Sequence, residues 1–265
     1  RRTSRWLAAR IHTSVSQIKA YLMCPAKAFH QYVRGTPPSH RSVALAFGSA
    51  VHHALELFYA KLKTDGCKPP LEEIQAAFAD RWSIELADDL PILFDDGQDA
   101  GQAQDQGVAL VGAFHAQGFV PDEVVAVEQA FAVDLADPET GEVLDIPLIG
   151  AIDLVAVHEG RTVLVETKTA ARRFDATRLA FDPQPTTYQY ASHSLNINNP
   201  RLVFQMLLKQ KRPVIEIVAV TRSHEAQNEM LHTFVHVLKG IEAGVFPRNR
   251  GWGCADCQYR HRCDA

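Results

Sequence analysis

Apolar residues recur at helical spacing through the first half of the chain and change to a period of two after residue 122, so the sequence predicts helices first and a sheet second. After a polar lead, Thr13, Ser14 and Ser16 offer helix caps, and Ile18, Tyr21 and Leu22 follow at helical spacing toward Cys24-Pro25. A helix is expected over about 43–63, burying Phe47, Val51, Leu55 and Phe58. Pro69-Pro70 breaks the chain, and helices over 71–86 and 100–117 follow, separated by the acidic Asp95-Asp96-Gly97 loop. Residues 124–127 and 131–135 read as strand, Pro138-Glu139-Thr140-Gly141-Glu142 as a turn, and 148–157 and 162–165 as strands of a hairpin turning at His158-Glu159-Gly160-Arg161. A helix over 186–195, strands over 202–208 and 214–221, and a helix over 223–243 complete an α/β core. The expected division is a mainly helical part over 1–122, an α/β core over 123–246 and a short basic, cysteine-rich segment over 247–265.

At 265 residues and 46% apolar content the chain can bury a sizeable core, and one catalytic unit is the simpler organisation. No apolar run reaches the roughly 18 residues that span a bilayer. The lead with Arg1, Arg2, Arg5 and Arg10 lacks a signal peptide's apolar stretch, so no membrane and a cytoplasmic location are expected. Five cysteines leave an odd one in any disulfide scheme, and a reducing compartment favours thiolate–metal chemistry over bridges. The net charge of −4 hides a segregation: residues 1–63 hold ten Lys/Arg against one acid, 85–145 hold fifteen acids and no Lys/Arg, and 200–265 hold ten Lys/Arg against six acids. Basic ends that converge could receive a polyanion; ordinary solvated surface accounts for the same pattern.

Two groups of residues carry chemistry. Asp153 interrupts the apolar run Gly150-Ala151-Ile152-Asp153-Leu154-Val155, where an ionised group is costly unless it meets a cation. Val163-Leu164-Val165-Glu166-Thr167-Lys168 repeats the pattern, and the period of a strand sends Glu166 and Lys168 to one face. If Asp153 faces them across the hairpin, two carboxylates and the Thr167 carbonyl can hold a hard cation such as Mg²⁺ or Mn²⁺. Lys168 then lies near a metal-bound water and a scissile phosphate. The second group is Cys254-x-x-Cys257-x5-Cys263 with the remote Cys24 before Pro25, a metal or cluster array in which structural zinc and an iron–sulfur cluster both fit four thiolates; Cys67 fits no cluster.

With these residues in this order, the chain resembles the RecB-type branch of the PD-(D/E)XK nuclease superfamily. In particular it is similar to the branch's iron–sulfur members, which include AddB-type nuclease domains and CRISPR-adaptation exonucleases. The resemblance runs from Ser16-Gln17-Ile18 and Cys24-Pro25 to Cys263. It implies a restriction-endonuclease-like core, a mixed central sheet flanked by helices, with a helical N-terminal part and a C-terminal iron–sulfur appendage. The family's Gly-x-x-x-His motif is matched by Gly48-Ser49-Ala50-Val51-His52, making His52 a further metal ligand by resemblance, with His53 the adjacent competitor about 100° around the helix. Asp153 corresponds to the second motif and Glu166-Thr167-Lys168 to the third, with Glu where many relatives have Asp. The Gln-x-x-x-Tyr motif fits in two registers: Gln184 to Tyr188, or one ending at Tyr190 with Thr186 at the glutamine position. These residues would contact DNA by resemblance, or the tyrosines would pack between helix and sheet.

The resemblance favours a 4Fe-4S cluster on Cys24, Cys254, Cys257 and Cys263, closing a loop between residues 230 apart and stapling the ends together in a structural role. Arg248, Arg250 and Trp252, with Tyr259, Arg260 and Arg262, suit contact with a DNA strand, or simply cover the cluster. The expected activity is a metal-dependent exonuclease acting on single-stranded DNA or DNA ends, in repair, recombination or mobile-element processing. Two alternatives stand beside it: a CRISPR-adaptation nuclease trimming DNA before integration, and a non-cleaving iron–sulfur subunit of a helicase–nuclease complex. The chain has no Gly-x4-Gly-Lys-Ser/Thr loop, so unwinding would need a helicase partner.

Overall fold

The computed structural model describes residues 12–264; Arg1, Arg2, Arg5 and Arg10 lie outside the described residues. Helix α1 (Val15–Met23) starts where the Ser14 side chain accepts the Gln17 amide, and α2 (Pro25–Ala28) follows with Cys24 at its N-cap and Pro25 in its first turn, leading into a π-helical turn (Phe29–Val33). A two-residue strand β1 (Arg41–Ser42) precedes the long helix α3 (Val43–Asp65), which Gly66 ends in the left-handed conformation. Helix α4 (Leu71–Ala87), strand β2 (Ile92–Leu93) and helix α5 (Ala100–Gln117) follow, α5 beginning at a capping box between Asp99 and Gln102. Then come β3 (Glu123–Val133), β4 (Leu148–His158), β5 (Arg161–Ala170), the short α6 (Ala176–Phe181), α7 (Pro183–Ser192), β6 (Arg201–Leu208), β7 (Val214–Val220), α8 (His224–Glu242) and the terminal turn α9 (Arg260–Asp264).

The five long strands form one mixed sheet in the order β3-β4-β5-β6-β7. Neighbours pair antiparallel at β4/β5 and β6/β7 and parallel at β5/β6, where Val163 faces Arg201 and Lys168 faces Met206. A parallel pair needs a long crossover, and residues 171–200 supply it with α6 and α7. The fold is therefore α/β, as the pattern of periods implies. Strand β1 pairs in parallel with β2 as a separate small sheet.

The chain forms two compact units drawn from non-consecutive segments: residues 40–129 with 151–221, and, among the described residues, 12–39 with 130–150 and 222–264. This partition follows contact, and so differs from the linear division at 122/123 and 246/247. In the first unit α3 buries Phe47, Val51, Leu55 and Phe58, as its periodicity predicts, against Phe78 and Trp82 of α4, Phe114 of α5 and the inner face of β4, β5 and β6. In the second, α1 packs on α8, the Tyr21 hydroxyl donates to the Val245 carbonyl (2.7 Å), and Thr13 bridges to Leu148.

The structure revises several sequence boundaries. The runs 124–127 and 131–135 are one strand with Glu128 at φ 49°, and the second hairpin strand runs on to Ala170, placing Glu166, Thr167 and Lys168 inside it. The expected helix over 186–195 begins earlier, at Pro183, because Asp182 caps it, and α6 was not anticipated. Helix α3 is long and apolar enough by length and composition to cross a membrane, as the core helix of a soluble protein also is; polar residues interrupt it at His52, His53 and Glu56, and half of it is buried here.

Candidate active site

The site is built on the β4/β5 hairpin. Glu159 (φ 52°) and Gly160 (φ 70°) form a turn with both central residues left-handed, which matches the twist of paired strands and fixes the register Leu154 to Val165. One step beyond that pair, Asp153 and Glu166 come side by side, and the Thr167 amide donates to Asp153 Oδ2 (2.7 Å). On the same face as Glu166, the Lys168 ammonium pairs with Glu166 Oε1. Thr167 turns to the other face, where its hydroxyl accepts from Gln205 Nε2 (3.2 Å).

His52, on α3, brings Nδ1 to 3.8 Å from Asp153 Oδ2, and the Thr167 carbonyl accepts a hydrogen bond from the same ring. His53 points elsewhere and pairs with Glu56 at 3.8 Å. Helix α3 is anchored beside the motif by the Ser49 hydroxyl, which donates to Glu85 Oε1 (2.7 Å); Glu85 is buried and also meets Arg41 and Arg81. From α7 the Tyr188 hydroxyl lies between Glu166 Oε2 and the Ala151 carbonyl (3.0 Å), and Gln184 Nε2 donates to it at 3.4 Å. The hydroxyl has one proton to give, and the carboxylate is the stronger acceptor. Thus Gln184 and Tyr188 reach the site. The Tyr188 ring is buried between helix and sheet, and Tyr190 is half-buried on the same helix.

The electrostatics are those of a cation site. Burial and the neighbouring Glu166 carboxylate raise the Asp153 pKa well above the usual Asp range. Burial and the Lys168 charge lower that of His52, favouring the neutral imidazole that binds metals. Burial alone would lower the Lys168 pKa, but Glu166 outweighs it and the net shift is upward, keeping the ammonium charged. Burial raises the Tyr188 pKa well above normal, reinforced by Glu166 and Asp153. A divalent cation among His52, Asp153 and Glu166 would relieve the carboxylate repulsion, and the nitrogen and oxygen donors suit Mg²⁺ or Mn²⁺.

Two residues near this site escaped the sequence reading. Glu128 of β3 places a carboxylate oxygen within 4.8 Å of ligand atoms of both His52 and Asp153. Its place in an alternating strand reads as solvent-facing, and its positive φ is invisible in sequence. Gln205 of β6 is fully buried; its Oε1 accepts from Tyr59 Oη (3.0 Å) and the Phe119 amide (3.1 Å), and its amide group donates to Thr167. A lone amide inside the apolar run Leu202-Val203-Phe204-Gln205-Met206-Leu207-Leu208 was the signal for it.

In the other unit, Cys24, Cys254, Cys257 and Cys263 line one cavity of about 600 Å³ together with Arg248, Arg250 and Trp252. Cys24 ends α1, Cys254 sits in the 3-10 turn Trp252–Cys254, and Cys263 lies on α9. Burial raises the Cys263 pKa, and the Cys24 and Cys257 thiols add to it while Arg248 opposes. Asn249 Nδ2 donates to the Met23 carbonyl (2.9 Å), the Ala26 amide to the Pro247 carbonyl (3.2 Å), and the His30 and Tyr259 rings stack. These contacts draw the chain's two ends together around the cysteines. Trp252 is 89% exposed, and Cys67, exposed after α3, does not line the cavity.

Comparison with known proteins gives a family and a fold. No curated protein matches the chain in sequence. The crystal structure of a candidate exonuclease from Eubacterium rectale superposes with a TM-score of 0.58 at 15% identity, over 97% of this chain and 90% of that one, which shows a shared fold. The structure of SSO0001, at 10% identity and a TM-score of 0.37 over 90% of this chain and 93% of that one, is too distant to add to the argument. The sequence profile of the PD-(D/E)XK nuclease superfamily matches residues 12–264, so the chain that places Asp153, Glu166 and Lys168 on one hairpin belongs to that superfamily.

Proposed function

We propose that the protein is a metal-dependent deoxyribonuclease of the RecB-like type, an exonuclease acting on single-stranded DNA or DNA ends. The observation that carries this is the convergence of His52, Asp153, Glu166 and Lys168, two carboxylates, an imidazole and an ammonium, in a member of a nuclease superfamily. Mg²⁺ or Mn²⁺ held by His52, Asp153 and Glu166 would lower the pKa of a water and offset charge on the phosphate. The chain's own residues supply the rest. Lys168, kept charged by Glu166, stands ready to orient the attacking water and to balance the phosphate's added negative charge. Tyr188 fixes the Glu166 carboxylate, and the Thr167 amide fixes Asp153.

For the cysteine cavity we favour a 4Fe-4S cluster in a structural role. What supports this reading is the arrangement of one remote cysteine before a C-terminal trio, together with the fact that all four thiols line one cavity. The exposed Trp252 beside Arg248 and Arg250 supports a strand-contacting role for this rim, through stacking and phosphate pairing. The test is cleavage of end-labelled single-stranded DNA with Mg²⁺ or Mn²⁺ by anaerobically purified protein beside Lys168→Ala. Degradation by the wild type alone is expected. Failure of both, with the cluster's visible absorption intact, would point instead to the non-cleaving subunit.

A further inference from the structure

We infer that Glu128 is an additional side-chain ligand of the metal site, on its solvent side, so that the cation is held by His52, Glu128, Asp153 and Glu166. The inference rests on the nuclease reading above and extends it to a residue outside the motifs described above.

Three observations carry it. The first is geometric: His52, Glu128 and Asp153 each offer a ligand atom, and these atoms lie within 4.8 Å of one another, a set drawn from α3, β3 and β4. Oxygen and nitrogen ligands on one cation stand about 2.0–2.2 Å from it, so ligand atoms at this separation need little rearrangement to share an ion. The second is what Glu128 lacks. Among the described residues no hydrogen bond or ion pair is shown to its carboxylate, while Asp153 has the Thr167 amide and Glu166 has Lys168 and Tyr188. The third is its setting: the carboxylate is crowded by the like charges of Glu56 and Glu166, a poor place for an acid unless a cation joins them. The positive φ at Glu128, costly for a residue with a side chain, accompanies this placement within an otherwise regular strand.

The chemistry follows from the donor set. One imidazole and three carboxylates bring three negative charges, and Lys168 returns one positive charge. Such an oxygen-rich, anionic site favours hard divalent ions, and each added carboxylate strengthens their binding. The exposed position of Glu128 puts this ligand where an incoming phosphate would compete with it.

The experiment measures Mn²⁺ binding by titration calorimetry, with no DNA present, for the wild type, Glu128→Gln, Asp153→Asn and Glu56→Gln. The isosteric change at exposed Glu128 removes a repelled charge, so metal-free thermal unfolding should be no lower than in the wild type. The expected result is an affinity loss of at least about tenfold in Glu128→Gln, the scale already typical of outer-shell partners, with Glu56→Gln within about threefold of wild type. Wild-type binding by Glu128→Gln while Asp153→Asn loses it would overturn the role of Glu128 and leave the nuclease site standing. An equal loss in Glu56→Gln would also overturn it, by reducing the effect to general charge. Wild-type binding by Asp153→Asn and Glu128→Gln alike would sink the metal site itself.

Discussion

The carboxylate site and the cysteine cavity are both gathered from distant parts of the chain, yet they are held in different ways. Asp153, Glu166 and Lys168 stand on neighbouring strands whose ladder fixes their backbone, and each already has a partner: Thr167, Tyr188 or one another. Behind them Gln205 spends three hydrogen bonds holding Thr167, Tyr59 and Phe119 in place. The four cysteines of the cavity stand on helix ends and short turns, half-buried, with Cys254 Sγ making a long contact to the Asn249 carbonyl at 3.9 Å. A site on a ladder is preorganised by the fold, whereas a site on short elements takes more of its order from its occupant.

The sharpest test of that contrast is Lys168→Ala. Cleavage should fall at least about a hundredfold while the variant stays folded at the assay temperature, because the ladder and the Tyr188 contact remain even though buried Glu166 loses its cation; a variant that no longer folds would break the comparison. Cys254→Ala should do the reverse first. It should abolish the visible absorption of the proposed cluster and lower stability, and a loss of about 3 kcal/mol would lower Tm by roughly 6–12 °C in a chain of this size. Full stability and activity in that variant would refute a structural cluster.

Gln205→Leu probes the ladder site from behind. It strands the Phe119 amide in an apolar interior, at about 1–3 kcal/mol, while the Tyr59 hydroxyl keeps the Phe119 carbonyl (2.9 Å). It also frees Thr167, so cleavage at a temperature where the variant is fully folded should still drop; unchanged kcat there would make Gln205 purely structural. The smallest effect belongs to the other unit. Asp137 is held at about 2 by the hydrogen bond from Lys239 and by the Glu139 amide. Its folded pKa is depressed, so its contribution is present above about pH 4 and is lost as pH falls through about 2. Asp137→Asn should flatten that part of the acid-unfolding curve, and superimposable curves would show the pair to be inert.

Much of the ladder site was legible in the sequence because strands obey a strict period. Two acids inside apolar runs, joined by Glu159-Gly160, define both the hairpin and the shared face of Glu166 and Lys168. Gly48 to His52 likewise selected the histidine that faces Asp153, since α3 buries the face next to it. Glu128 was not legible, because a backbone angle rather than a residue type accompanies its placement. Gln205 was overlooked for the opposite reason: its run reads so strongly as core that the one polar residue in it looked incidental. At the other site, spacing marked the cysteines, but the contacts that draw the ends together, Asn249 to Met23 and Ala26 to Pro247, run through backbone groups that any sequence would offer.

The parallel pairing of β5 with β6 has a consequence in time. The hairpin bearing Asp153, Glu166 and Lys168 is local and can close soon after it is synthesised, but Tyr188 and Gln205 arrive only with the crossover and the strand beyond it. At roughly 5–20 residues per second on the ribosome, the nascent chain carries its acids for seconds before the groups that aim them exist. Cutting competence thus waits for the crossover and β6, long after the hairpin itself can close.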